Sequence, residues 1–224
     1  MIRTLRFLGV AVLASVALSA VASSASADTF FSEENKTVTL TGTQEETDIF
    51  AVHAGEVKCK HVGYVGTVSN SPTTTVKVKP TYKECTFVGL AATVNVGTCE
   101  YLFHINDVVA NDTTGTVDIV CPSGDITVTA PSAGTAKCIV HVPAQTGLGT
   151  ATFKNVGAAM GSTREVTVEV HLTGIKYSQT AGTAETGNCT TADNTVNGTY
   201  KGKALVTGEE DKATSPAHIG IFIA

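Results

Sequence analysis

Tryptophan is absent from this chain and aromatic residues make up only 6% of it, so large rings contribute little to a core and a sugar-stacking platform is hard to assemble. Charge is scarce too, at 16% of residues. Few Glu, Lys and Leu are available for surface helices, and the Thr, Val and Gly that replace them favour strands and turns. No window of a dozen residues carries a helical stripe. Beyond residue 27, no apolar run approaches the roughly 20 residues that span a bilayer. There is no Gly-x-Ser-x-Gly, Ser-x-x-Lys, His-Glu-x-x-His or Cys-x-x-Cys spacing. Serine-hydrolase, penicillin-binding, zincin and zinc-finger chemistries therefore lack their nucleophile or ligands.

The chain does have an export signal. Arg3 and Arg6 precede an apolar run from Phe7 to Ala22, and Ala25-Ser26-Ala27 ends it with the small residues that suit signal peptidase. Residues 1–27 are read as this signal, and the mature chain as starting at Asp28. Without Arg3 and Arg6, 13 basic residues face 20 acidic ones, a formal charge of minus 7 that argues against a polyanion-binding surface and against nucleic acid. No cysteine immediately follows the cleavage site, where Asp28 stands, so no lipid anchor is expected. All six cysteines, Cys59, Cys85, Cys99, Cys121, Cys138 and Cys189, lie beyond the signal. An even set in an exported chain reads as a disulfide framework, and the expected location is secreted, extracellular or associated with the cell wall.

Alternation with a period of two recurs throughout the mature chain, clearest in Thr75 to Lys79, Thr116 to Val120 and Glu165 to Leu172. In the last of these, Val166, Val168 and Val170 should face inward, and Thr167, Glu169 and His171 outward. Turn signals at Asn70-Ser71-Pro72, Asn111 to Gly115, Cys121 to Gly124 and Ala130 to Gly134 separate the strands. The fold expected is all-β, an antiparallel sandwich of Greek-key type, with a β-barrel as the alternative. The C-terminus, His218 to Ala224, reads as a closing core strand.

An internal echo suggests two related halves, residues 28–132 and 133–224, or one continuous sandwich. Ala54-Gly55-Glu56-Val57-Lys58-Cys59 resembles Ala133-Gly134-Thr135-Ala136-Lys137-Cys138, with Tyr82 and Cys85 after the first and Tyr177 and Cys189 after the second. The echo pairs Cys59 with Cys85 and Cys138 with Cys189, leaving Cys99 for Cys121. A hairpin turning at Pro72 sets Cys59 opposite Cys85, and one near Asn111 sets Cys99 opposite Cys121. The rival pair of Cys121 with Cys138 fits worse, because a hairpin at Ser132 puts Cys138 opposite Ile126. Six cysteines allow 15 connectivities in all.

Candidate chemistry is thin. The histidines at 53, 61, 104, 141, 171 and 218 match no ligand motif, although His141 and His171 share an outward parity that could bring them together. Asp112-Thr113-Thr114-Gly115 has an extra threonine relative to an aspartic-protease turn and no second copy, and reads as a hairpin turn. Asn106-Asp107, Asn111-Asp112 and Asp193-Asn194 are oxygen-rich, but Asx residues in turns usually cap their own backbone. Sequons occur at Asn35, Asn111, Asn188 and Asn197, but the Ala-rich signal and the composition look bacterial, and in bacteria the tripeptide is ordinarily uninformative. No cofactor, metal or catalytic residue is assigned. The loop around Cys189 and the turn from Asn106 to Thr116 are the candidate contact surfaces.

The Ala-rich signal, the Ala-Gly-x-x-x-Cys entry, Tyr82-Lys83-Glu84-Cys85, Val117-Asp118-Ile119-Val120-Cys121-Pro122, and Asn197-Gly198-Thr199-Tyr200 carry a resemblance. Together they resemble a group of uncharacterised secreted, disulfide-containing β-rich proteins of high-GC Gram-positive bacteria. The strand pattern is also similar to Ig-like sandwiches in the broad sense, without their Cys…Trp…Cys core. These resemblances imply a compartment and a fold and transfer no site. The expectation is a non-enzymatic structural or binding module for a protein or envelope partner. An extracellular hydrolase with an unrecognised site, or a small-ligand carrier, are the alternatives.

Overall fold

The computed structural model describes residues 29–32, 37–68, 72–87, 89–109, 112–131, 137–157, 163–180, 192–210 and 217–224. In chain order its strands are β1 (Phe30–Ser32), β2 (Val38–Gln44), β3 (Asp48–Val52), β4 (Gly55–Val68), β5 (Thr75–Phe87), β6 (Leu90–Asn95), β7 (Glu100–Val109) and β8 (Asp112–Val120). They continue as β9 (Ile126–Pro131), β10 (Lys137–Val142), β11 (Gln145–Val156), β12 (Glu165–Thr180), β13 (Ala192–Glu210), β14 (His218–Ile219) and β15 (Ile221–Ile223). The chain is all-β with antiparallel pairing, as the period-two alternation predicts. Among the described residues no helix is long and apolar enough to cross a membrane.

Strands adjacent in sequence are adjacent in space, and the last returns to the first. β4 pairs with β5, β5 with β6 and β7, β7 with β8 and β6 with β9; β8 pairs with β11 and β9 with β10. Both β10 and β11 pair with β12, β12 with β13, and β13 with β2 and β3, which also pair with β4. The sheet therefore closes on itself as a hydrogen-bonded ring. Opposite walls face each other across one apolar core, the two-layer packing of an antiparallel sandwich, and are joined along both sides. This refines the Greek-key expectation, since the chain meanders around the ring and closes it by β13 onto β2 and β3.

The ring has two halves. The longest strands, β4, β5, β12 and β13, run its full length, whereas the other four positions are each filled by two shorter strands end to end. β2, β7, β8 and β11 complete the upper half, and β3, β6, β9 and β10 the lower. At the top, β1 and β15 pair with each other, and Phe30, Ile221 and Ile223 turn inward to join the core. The side-chain amide of Asn155 accepts from Ile223 N–H and donates to Ile223 C=O, each at 2.8 Å, so it holds the tail as a strand would. The C-terminal segment thus closes the core, as its apolar sequence predicts.

Three local readings change. Asp112 to Gly115 is strand, not turn, because β7 and β8 extend to Val109 and Asp112. A side chain at Gly115 would collide with the His104 carbonyl, so only glycine fits there. Cys138 lies opposite Ala130, not Ile126, because the connection between β9 and β10 spans residues 132–136 and centres two residues later than Ser132. Thr167 is buried and Val168 only half-buried. Thr167 lies between Lys154 and Leu205 on the neighbouring strands.

Candidate functional site at the waist of the ring

Where the halves meet, four strand positions are broken and the wall is held by side chains. Gln44, at the end of β2, donates from its amide to Cys59 C=O and accepts from Val62 N–H, both at 3.0 Å. It occupies the stretch of β4 between its ladders with β3 and β2. Gln145 does the same for β12, accepting from Lys176 N–H at 2.8 Å and donating to Lys176 C=O at 3.1 Å. Backbone groups at a sheet break would otherwise be orphaned, and each glutamine amide supplies one donor and one acceptor.

Two disulfides staple the same level. Cys59 and Cys85 lie directly opposite each other on β4 and β5. Cys99 bonds Cys121 across the breaks between β6 and β7 and between β8 and β9. The second pairing depends on a bulge. From the tip of the β7–β8 hairpin, Val109 opposes Asp112, a register that would carry Cys99 past Cys121; the irregularity between Ile105 and Asp107 shifts it by one residue. Cys138 is also disulfide-bonded, and the partner the echo assigns to it, Cys189, lies outside the described residues.

Inside the waist is a polar cluster that no sequence motif announced. Asp48, at the start of β3, is the one buried acid among the described residues, at 2% exposure. Its Oδ2 accepts from Tyr64 Oη at 2.6 Å and Tyr200 Oη at 2.8 Å, and the two hydroxyls are 2.9 Å apart. Beside them Tyr82 and Tyr101 bring their hydroxyls to 2.6 Å. Four of the five tyrosines thus converge from β4, β5, β7 and β13. Gly42 and Gly202 make room, since a Cβ on Gly42 would press on the Tyr64 ring and one on Gly202 would collide with Asp48.

The triangle has three edges and only two hydroxyl protons. With Asp48 ionised, both hydroxyls donate to Oδ2 and their mutual contact has no hydrogen. With Asp48 protonated, the third proton closes the cycle. Oδ1 lies against Gly202 and makes no hydrogen bond of acceptable geometry, which penalises an ionised carboxylate more than a neutral one. Burial accordingly raises Asp48 above the ordinary carboxylate value, against the opposing pull of the Tyr64 and Tyr200 hydroxyls and the Lys203 backbone. Burial also pushes Tyr64, Tyr82 and Tyr200 well above the usual phenol value and Tyr101 to about 12, so all four remain neutral donors.

Two interior cavities of about 60 and 50 Å³ flank the cluster, one in each half, each lined by strands from all around the ring. Ligand pockets usually begin near ~300 Å³. Larger hollows indent the outside of the waist: about 320 Å³ on the wall of β2, β4 and β5, and about 610 Å³ beside Gln145 and Gly174.

The histidines do not converge. His104 Nε2 meets Asp118 Oδ2 at 2.8 Å, but Asp118 Oδ1 accepts from Gly147 N–H at 2.7 Å, and no hydroxyl or thiol bonds His104 among the described residues. His61 faces Glu84, His141 faces Asp125 and His171 faces Glu169, each a separate pair. His141 lies opposite Ser178 and His171 opposite Thr150, so seven residues of β12 separate the two levels and they form no pair. No group of three metal-ligating side chains occurs among the described residues. Asp112 is engaged by Lys154, and Asn197 Oδ1 accepts from Tyr177 Oη, which also accepts from His53 N–H.

The loop around Cys189 lies outside the described residues. No family model, no curated protein and no solved structure matches the chain.

Proposed function

We propose that the protein is a secreted or cell-wall-associated, non-enzymatic β-protein that serves as a structural or binding module for a protein or envelope partner. The observation that carries this reading is where its polar side chains are spent. Gln44, Gln145 and Asn155 patch strands, Asp118 ties Gly147 to His104, and Asp48 is sealed among tyrosines. Together with two disulfides across the waist, this arrangement supports a durable scaffold.

The carrier alternative has little to draw on in cavities of about 60 and 50 Å³. For the hydrolase alternative, the His104–Asp118 pair lacks a nucleophile in reach among the described residues. Fractionation of producing cells tests the proposal: the protein is expected in the medium or wall fraction with its thiols oxidised, and to sediment with purified envelope. Recovery from the cytoplasm with free thiols would overturn it.

A further inference from the structure

One wall of this acidic molecule is basic. On a chain of formal net charge minus 5, Lys58, Lys60, Lys77, Lys79 and Lys83 project outward from β4 and β5 against the carboxylates of Glu56, Glu84 and Glu100. Lys58 is closely paired with Glu56 at 2.7 Å, whereas Lys60–Glu84 at 3.6 Å and Lys77–Glu100 at 3.5 Å are long, solvent-exposed pairs of the kind that hold weakly. Lys79 and Lys83 have no acidic partner among the described residues. Elsewhere Lys154 is paired with Asp112, and Lys203 with Glu45 and Glu46, while Lys176 and Lys201 have no acidic partner among the described residues; the β4–β5 wall is set apart by its five gathered lysines, not by unpaired ones.

The lysines form a line. Lys77, Lys79 and Lys83 share the outer face of β5 with Thr81, and successive outward residues are about 7 Å apart along a strand. Val65, 54% exposed, lies opposite Lys79, and His61 opposite Lys83. The hollow of about 320 Å³ runs alongside, lined by Thr41, Thr43, Thr81, Lys60, His61 and Lys83 among others. On its other side β5 is uncovered at this level, since its ladder with β7 ends at Val78 and that with β6 starts at Cys85.

A strained backbone maintains the line. Glu84 has φ of 50°, the one described non-glycine residue with positive φ. Its left-handed turn leaves both Lys83 and Glu84 exposed while Cys85 returns inward, and the same parity change occurs across the ladder, where Lys60 and His61 are both exposed. Without it, a strand that buries Cys85 would bury residue 83 as well. Such strain costs about 1–2 kcal/mol, and here it keeps a lysine outside.

We propose that the β4–β5 wall docks a linear polyanion, an envelope polymer bearing phosphate or carboxylate on its repeats. The inference rests on the binding-module reading and commits it to one wall and one chemistry. Net charge argues against polyanion binding only for the molecule as a whole, because screening at physiological salt limits the field to about 8 Å and leaves local charges in control.

The test measures binding of the oxidised protein to polyphosphate and to polygalacturonate, with neutral dextran as the blank. Wild type is expected to bind at least one polyanion and not dextran, more weakly as salt rises, and the polymer preferred identifies phosphate or carboxylate as the recognised group. K79E/K83E should weaken binding about tenfold or more, as two attractions become repulsions, while K154E/K201E on β11 and β13 should change it less than about twofold. Both pairs are exposed, and unchanged thermal unfolding verifies that each variant folds. Failure of wild type to bind either polymer, or equal loss in both double variants, overturns the proposal. If wild type ignores both polymers yet still sediments with envelope, the binding-module reading survives without this wall.

Discussion

Asp48 is an acid in a place that disfavours charge, and its effect on stability has a definite sign. Its folded value is raised by burial above the ordinary 3.8. Near and below that ordinary value, folded and unfolded chains both hold the proton and the contribution is complete. As pH rises toward the folded value, the unfolded chain ionises first and stability falls, by at most about 1.4 kcal/mol per pH unit. Urea midpoints from pH 4 to 8 should therefore drop for wild type relative to Asp48→Asn, which stays neutral. The difference between the two cancels Glu56 and Glu169, whose values are lowered by hydrogen bonds from Lys58 and His171 and act in the opposite sense at acid pH. Equal slopes in the two proteins would exclude this role. Glu84 allows a second check: Glu84→Gly should stabilise by about 1 kcal/mol by relieving the left-handed strain, whereas Lys83→Gly, in ordinary strand geometry, should cost about as much. None of this was legible in the sequence. Tyr64, Tyr82, Tyr101 and Tyr200 are far apart in the chain, and no motif links them to Asp48.

At the scale of elements, the ring combines strands of period two with breaks that the pattern could not reveal. Alternation identified the first part of β5, the last part of β8 and the first half of β12 from their sequence, because inward Val and outward Thr or Lys are set locally by the pleat. It could not show that β2 and β3 lie end to end, since that depends on β13 and β4 arriving on either side. The glutamine amides are the consequence. Gln145→Ala should cost about 1–3 kcal/mol by leaving Lys176 N–H and C=O without partners, and hydrogen exchange at the Lys176 amide should speed up while the centre of β12 keeps its protection. Gln44→Ala should do the same at Val62. Unchanged exchange would mean that neighbouring backbone or water takes over the amide's place.

For the whole molecule, stability depends on closure and on covalent staples. The two described disulfides span 26 and 22 residues, and in the chain-entropy account each should add about 3 kcal/mol. Replacing Cys99 and Cys121 together by Ser should lower the unfolding free energy by about that amount while preserving the all-β spectrum, because the ring ladders remain. Loss of the fold would mean that the staple, not the ladder, holds the waist. Closure also bears on partners. Among the described residues the ring strands are paired on both sides over most of their length, with β5 open on one side from Lys79 to Glu84, so contact by strand addition is less suited to this protein than contact through a wall or a pole.

Composition and alternation determined by themselves that the chain is all-β, and the hairpin geometry at Pro72 and near Asn111 favoured Cys59 with Cys85 and Cys99 with Cys121, the second of which the fold completes through a bulge. Those features depend on near neighbours in the chain. The tertiary structure alone decided that β13 returns to β2 and β3, and that four tyrosines and an aspartate meet at the waist. Each requires residues far apart in sequence to share a level of the ring, and that level is set by bulges, breaks and closure whose energies no local pattern records.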